Sequence, residues 1–400
     1  MRRVLMGVAA FLVISGLLAP LPARAAPAAP LSPVRTSTSV IPMGSVTAPA
    51  PGAQVQAEAS GEVAGMTGAP PSLSVRRTGT EGFSLLGVTW AYDPAVTDTV
   101  VRIRAMSVTG AWGEWSEVET QDPGQNATAT PGARLRGGTE PVWTGPSTGV
   151  QAEVLTRSGA HPSDVRLDLV DPGSSATDVV VAAPALQGGA ESSLPAPAVH
   201  SRAEWGADEG IRTWEPQYAP TLEAATLHHT TGTSDYTAAQ VPAMIRAIYR
   251  YHAVSRGWGD IGYHVIVDRF GQLWEGRYGG LASTVIGAHA GGFNAGTFGI
   301  AMLGDYDLVD TTAPMVDAIA AFIAWKFAAF GIQPDASTTL TSSGGGTSRY
   351  ATGVEVTLPT VFAHRDVGST ECPGDLGYAR LGEIRDKVAQ RLASARSLSG

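Results

Sequence analysis

The sequence predicts an α/β domain in its C-terminal half, preceded by a separate all-β module. Three observations carry this. Short runs of alternating apolar and charged residues begin near Val75, strand and helix signals alternate after about residue 200, and Pro/Ala/Gly-rich stretches flank the first region. Four hundred residues with 44% hydrophobic content suffice for two cores of ordinary size.

Residues 1–25 carry a basic start at Arg2 and Arg3, an apolar run from Val4 to Leu18, and Ala23-Arg24-Ala25. That order predicts a secretory signal cleaved after Ala25, and fifteen apolar residues ahead of Pro20 and Pro22 are short for a membrane span. The mature chain is therefore expected to be secreted or extracytoplasmic, with no membrane span left after cleavage. Loss of Arg2, Arg3 and Arg24 takes the net charge from −9 to −12, which opposes both nucleic acid and anionic membranes as partners. Oligomeric state is not legible.

Residues 26–74 are dominated by Ala, Pro, Ser, Thr, Gly and Val with almost no aromatic side chain, which predicts a disordered tether. Residues 75–182 form the all-β module. Runs at 83–92, 100–107, 150–155 and 164–170 read as strands, with Val101-Arg102-Ile103-Arg104-Ala105 changing polarity at every step. Gly and Pro punctuate the runs, Gly137-Gly138 among them, and a sandwich is the expected arrangement. Trp90, Trp112, Trp115 and Trp143 suit either a core or a glycan-binding surface, and the core is favoured. The module offers no cluster of ligands or of acids and bases, so its function is not read. Residues 183–199 form a second Pro/Ala/Gly linker.

The domain over residues 200–395 opens with a short apolar run, 222–228, ending in a His pair. Thr237 and Gln240 form a capping box ahead of a helical stripe at Val241, Met244, Ile245, Ile248 and His252, with Pro242 making the first turn irregular. Residues 263–268 and 272–275 read as a hairpin, and 297–303 as a further strand. A helix fits 313–330, stopped by Gly331, and another fits Leu381, Ile384, Val388 and Leu392. The insert 336–353 reads as a long loop or hairpin, and Trp258 and Trp274 as core.

The chemistry gathers around residues 362–374, FAHRDVGSTECPG, with an imidazole at His364 and the chain's single thiol at Cys372. An unpaired cysteine in an exported chain needs a purpose, and ligation of Zn2+ is one. Six of the eight histidines lie between residues 228 and 364. His228 and His229 are adjacent on a strand, so one of them faces the metal, and spacing does not say which. Three ligands leave a fourth position open, and zinc there would lower the pKa of water to roughly 7 and polarise an amide carbonyl, which points to hydrolysis.

Four stretches, Leu227-His228-His229-Thr230-Thr231, Gly257-Trp258-Gly259-Asp260-Ile261-Gly262-Tyr263-His264, Gly287-Ala288-His289-Ala290-Gly291-Gly292-Phe293-Asn294 and His364-Arg365-Asp366-Val367 with Glu371-Cys372-Pro373-Gly374, resemble those of the peptidoglycan recognition proteins and related zinc-dependent N-acetylmuramoyl-L-alanine amidases. The resemblance spans about half the chain. It implies a central mixed β-sheet flanked by helices, Zn2+ held by His228, His364 and Cys372, and Tyr263 as the catalytic tyrosine donating to the oxyanion. Thr370 stands where phage members carry a lysine, so a hydroxyl takes the place of a cation beside the oxyanion. The substrate-binding set becomes His289 and Asn294, along the peptide groove, with His229. The implied partner is peptidoglycan or a muropeptide, and the implied location is the cell wall. Two rivals stand beside the enzyme: a binding-only recognition module, which would usually lack a zinc ligand, and an adhesive wall protein working through the β module and tether.

Overall fold

The computed structural model describes residues 32–56, 72–121, 135–179, 192, 194–345 and 347–399. The expected signal segment lies outside these, as does most of the linker.

The N-terminal module is antiparallel. Its strands are β1 (Ser37–Gly44), β2 (Ala53–Gln56), β3 (Ser72–Ala91), β4 (Asp98–Ser107), β5 (Ser116–Val118), β6 (Thr120–Gln121), β7 (Arg136–Thr139), β8 (Val142–Ser158) and β9 (Val165–Asp171). They join in one sheet of order β1-β9-β3-β8-β4-β5, with β2 and β7 also on β3 and β6 on β7. Met43 at one edge and Val118 at the other share a core with Leu86, Val101, Val150 and Leu167, so the sheet curls around its own interior. The sandwich is thus one continuous ladder rather than two sheets.

Two expectations are corrected here. The tether over residues 26–74 contains β1 and β2, with Met43 fully buried. β1 is an edge strand rich in β-branched residues, and Pro42 sits beside a register shift where no ladder donor is required. Gly137-Gly138 does not make a turn: both residues lie in β7, where a Cβ would strike the Trp90 indole or the Val88 carbonyl.

The C-terminal domain is built on β10 (Val199–His200), β11 (Ala224–His229), β12 (Val265–Val267), β13 (Leu273–Glu275), β14 (Thr297–Met302) and β17 (Val361–Ala363), in the order β10-β13-β12-β14-β11-β17. Only β12 and β13 pair antiparallel; the other four pairings are parallel, giving a mixed sheet. The β12–β13 hairpin is closed by Asp268, whose carboxylate accepts from Phe270 and Gln272 N–H at 2.9 Å each. Strands β15 (Ser337–Thr341) and β16 (Glu355–Pro359) pair as a separate hairpin, which is the form the insert takes. The linker's end belongs to this domain: Leu194 and Ala196 pack on its core, and Val199 pairs with Leu273.

Helices α1 (Val241–Arg250), α2 (Ala313–Phe330), α3 (Asp375–Tyr378) and α4 (Leu381–Ser399) cover the sheet. A 3-10 turn at Ala238–Gln240 precedes α1, as Pro242 requires, and Gln240 Oε1 accepts from Thr237 N–H at 2.8 Å. Thr312 caps α2, and Gly331 ends it with φ 69°. By length and composition α2 is apolar enough to cross a bilayer, yet Met315, Ile319, Phe322 and Ile323 lie in the core with α4.

The last turn after α1 is a π-helix, Tyr251–Ser255, which carries Tyr251 and Arg256 into the module. The buried Arg256 guanidinium donates to the carbonyls of Arg136 (3.1 Å), Thr139 (2.9 Å) and Gln121. Tyr251 Oη donates to Thr139 O at 3.0 Å. Arg246 donates to Pro172 O and to both oxygens of Asp178. Leu85, Trp143 and Val170 of the module share one core with Trp205, Ile245 and Tyr251. The two regions therefore form a single body. Arg256→Ala strips three buried carbonyls of a charged donor, so we expect it to lower unfolding stability by about 3 kcal/mol or more in denaturant titration. A loss below about 1 kcal/mol would show that the guanidinium does not hold this junction.

Candidate active site

The parallel pairing of β11 with β17 sets Leu227 opposite Ala363, and the next residue on each chain segment is a histidine, His228 within β11 and His364 just past β17. Their rings lie 4.7 Å apart. The loop after His364 returns Cys372 to the same place, tied by Arg365 N–H to Cys372 O at 2.9 Å. The sulfur accepts from His229 N–H at 3.3 Å and sits 3.7 Å from His228 Nδ1. One ligand atom from each of His228, His364 and Cys372 thus lies within 4.8 Å of the others, and all three residues are buried. Alternation along β11 sends His228 to this cluster and His229 to the opposite side.

His364 offers the test of fit. Both its ring nitrogens are buried and meet no hydrogen-bond partner among the described residues, a costly state unless something else binds them. Two imidazole nitrogens and a sulfur are donors that zinc favours. His228 makes its Nδ1 available because its Nε2 is engaged by His289 Nδ1 at 3.0 Å. Burial and the neighbouring His364 hold His228 well below the usual imidazole range, and burial brings His364 to about 4, so both are neutral lone-pair donors at neutral pH. Burial, then Glu119 and Glu140, push the Cys372 thiol up; a bound cation would act in the opposite sense.

His289 and Asn294, expected to bind substrate along the peptide groove, both lie buried. His289 is buried behind His228, where it fixes that ring, and its Nε2 lies 3.4 Å from Thr297 Oγ1. Asn294 is also buried, and its Oδ1 accepts from the N–H groups of His289 and Ala290 at 2.7 and 2.9 Å, bracing the Gly-rich turn. Each acts from behind the candidate ligands. His229 lines a groove of about 1390 Å³, shared with Thr370, Asp305 and Arg349 and with Trp112, Trp115 and Trp143 of the module. Its Nδ1 accepts from Tyr306 N–H at 3.3 Å, and its buried Nε2 has no hydrogen-bond partner among the described residues. Trp90 and Trp143 are buried as expected, whereas Trp112 and Trp115 stand half-buried, with Arg104 over both rings. Trp258 and Trp274 are core.

Tyr263 is buried with its ring against His228, and its hydroxyl donates to Glu140 Oε2 at 3.4 Å. Thr370 donates its one hydroxyl proton to Glu119 Oε2 at 2.6 Å and accepts from Cys372 N–H at 3.0 Å. That proton is committed to a carboxylate, so Thr370 braces the cysteine loop here instead of offering a donor to an oxyanion. Glu119 Oε1 also accepts from Glu371 N–H at 2.9 Å. Both acids belong to the β module, in which the sequence offered no acid or base cluster. Burial, reinforced by Glu119 and opposed by Arg256, lifts Glu140 to about 8.

Residues 218–375 match the N-acetylmuramoyl-L-alanine amidase family, and residues 35–179 match a family described as Rv3811 N-terminal galactose-binding domain-like. Peptidoglycan-recognition protein SC2 of Drosophila simulans is 34% identical over 174 residues, covering 44% of this chain and 79% of that protein. The chain belongs to the peptidoglycan recognition protein and type 2 amidase family. The N-acetylmuramoyl-L-alanine amidase of Homo sapiens is 30% identical over 200 residues, 49% of this chain and 30% of that one. Among solved structures, wild-type Drosophila PGRP-LB aligns over 46% of this chain and 91% of its own, with 26% identity and a TM-score of 0.36.

In this amidase-family domain His289 holds the ring of candidate ligand His228. We expect His289→Ala to weaken zinc affinity about 10–100-fold in chelator competition, as loss of such outer partners does. Unchanged affinity would remove His289 from that role.

Proposed function

We propose that this protein is an exported, cell-wall-associated, zinc-dependent amidase. It hydrolyses the lactyl amide that joins N-acetylmuramic acid to the L-alanine of the peptidoglycan stem peptide. The observation that carries this reading is the convergence of His228, His364 and Cys372, with His364 buried and, among the described residues, without a hydrogen-bond partner at either nitrogen. A module that only gripped stem peptides would have no use for such a ligand set. The names of the relatives support peptidoglycan as the substrate class, and the signal-like N-terminus supports export.

Zinc held by these three residues supplies a Lewis acid and a water-derived nucleophile at neutral pH. The remaining work falls to the chain. His289 keeps the His228 ring in its ligating orientation. Thr370 and Glu119 hold the loop that carries Cys372. Tyr263 packs its ring against His228 and donates its hydroxyl to Glu140. His229, Arg349 and the module's tryptophans line the groove through which we expect the muropeptide to approach.

Zinc content and muropeptide hydrolysis measured on one preparation, wild type beside Cys372→Ser, test the reading. We expect about one zinc per wild-type chain and release of free stem peptide, with both lost in the variant because a missing ligand abolishes the site. Wild type that binds muropeptide but releases nothing when zinc is supplied would replace the enzyme with a recognition protein.

A further inference from the structure

The amidase reading leaves one step without an agent. Amide hydrolysis removes a proton from the attacking water and delivers one to the leaving nitrogen. Tyr263 and Thr370 are poor carriers, and each already donates to a carboxylate.

Glu140 fills the turn between β7 and β8 and is only 3% exposed. Among the described residues no cation lies within ion-pairing distance of it, and its described side-chain hydrogen bond is the one from Tyr263. With the Arg256 charge offsetting its burial only in part, such an acid is a poor contribution to stability. Its position is nonetheless fixed on every side. Glu140 N–H donates to Glu119 O at 2.8 Å. The carbonyl of Thr139 before it accepts from Arg256 and Tyr251, and that of Pro141 after it accepts from Thr231 Oγ1 at 3.3 Å. The backbone of the turn is therefore held firmly in place. It presents a carboxylate to the tyrosine that packs on candidate ligand His228.

We propose that Glu140, contributed by the β module, is a catalytic residue of the amidase site. It accepts a proton from the attacking water as the carbon–oxygen bond forms, and passes that proton to the amide nitrogen as the carbon–nitrogen bond breaks. Water is the only co-reactant, and the products are the lactyl acid and the free amine. Tyr263 acts on Glu140 as a positioning residue. The module is then part of the enzyme and not an appended wall binder.

The proposal rests on the amidase reading, and the test separates the two. Full-length wild type and Glu140→Gln, both zinc-loaded, are compared for zinc content, for muropeptide Kd by calorimetry, and for kcat. We expect kcat to fall about 100-fold or more, the range general acid–base catalysis supplies, with zinc content and Kd within about twofold. A kcat within about threefold of wild type, or above it, overturns the assignment while the amidase reading stands. Wild type without hydrolysis removes that reading and the inference with it. Should Glu140→Gln not fold, Glu140→Ala in sodium formate carries the same test: recovery of activity supports a lost proton carrier, and a folded variant that formate does not revive contradicts it.

Discussion

The register of β11 against β17 is the constraint on which the rest depends. Because Leu227 pairs with Ala363, the next residue on each side, His228 and His364, is a histidine. The sheet is buried on both faces, so neither ring can turn out to water, and the returning loop closes Cys372 onto them. A one-residue slip would exchange His228 for His229 and disperse the donors. The buried partners follow from the same register: His289 behind His228, and Asn294 holding the turn that carries His289.

The second organising feature is the junction with the module. Arg256, Tyr251 and Arg246 spend buried polar groups on module carbonyls and on Asp178, and a shared apolar core runs between them. Hydrogen bonds from charged donors inside a closed interface are strong and directional, so the junction fixes Glu119 and Glu140 as firmly as the domain's own residues. The candidate site is thus composed from both halves of the chain.

Much of this was legible in the residues. His364 and Cys372 are eight apart in a segment broken by Gly368 and Pro373, and the four motifs told His228 from His229 where strand geometry alone did not. The helices were legible because their apolar stripes, caps and stop signals agree. What was not legible is contact across the chain. Glu119 lies 251 residues from Thr370, and nothing local marks it or Glu140 as lying near the candidate metal site. Likewise, His289 and Asn294 sit in a Gly-rich run suited to ligand approach, and only the packing shows their polar atoms turned inward. The strands β1 and β2 escaped notice because edge strands need few large apolar residues to pair.

The most direct test of the central claim is anomalous X-ray diffraction at the zinc edge from crystals of the zinc-loaded protein. One strong anomalous peak is expected, bounded by His228 Nδ1, a ring nitrogen of His364 and Cys372 Sγ. A peak at the other gathering of potential donors, His229 with Asp305 and Asp307, and none at the first, would contradict it.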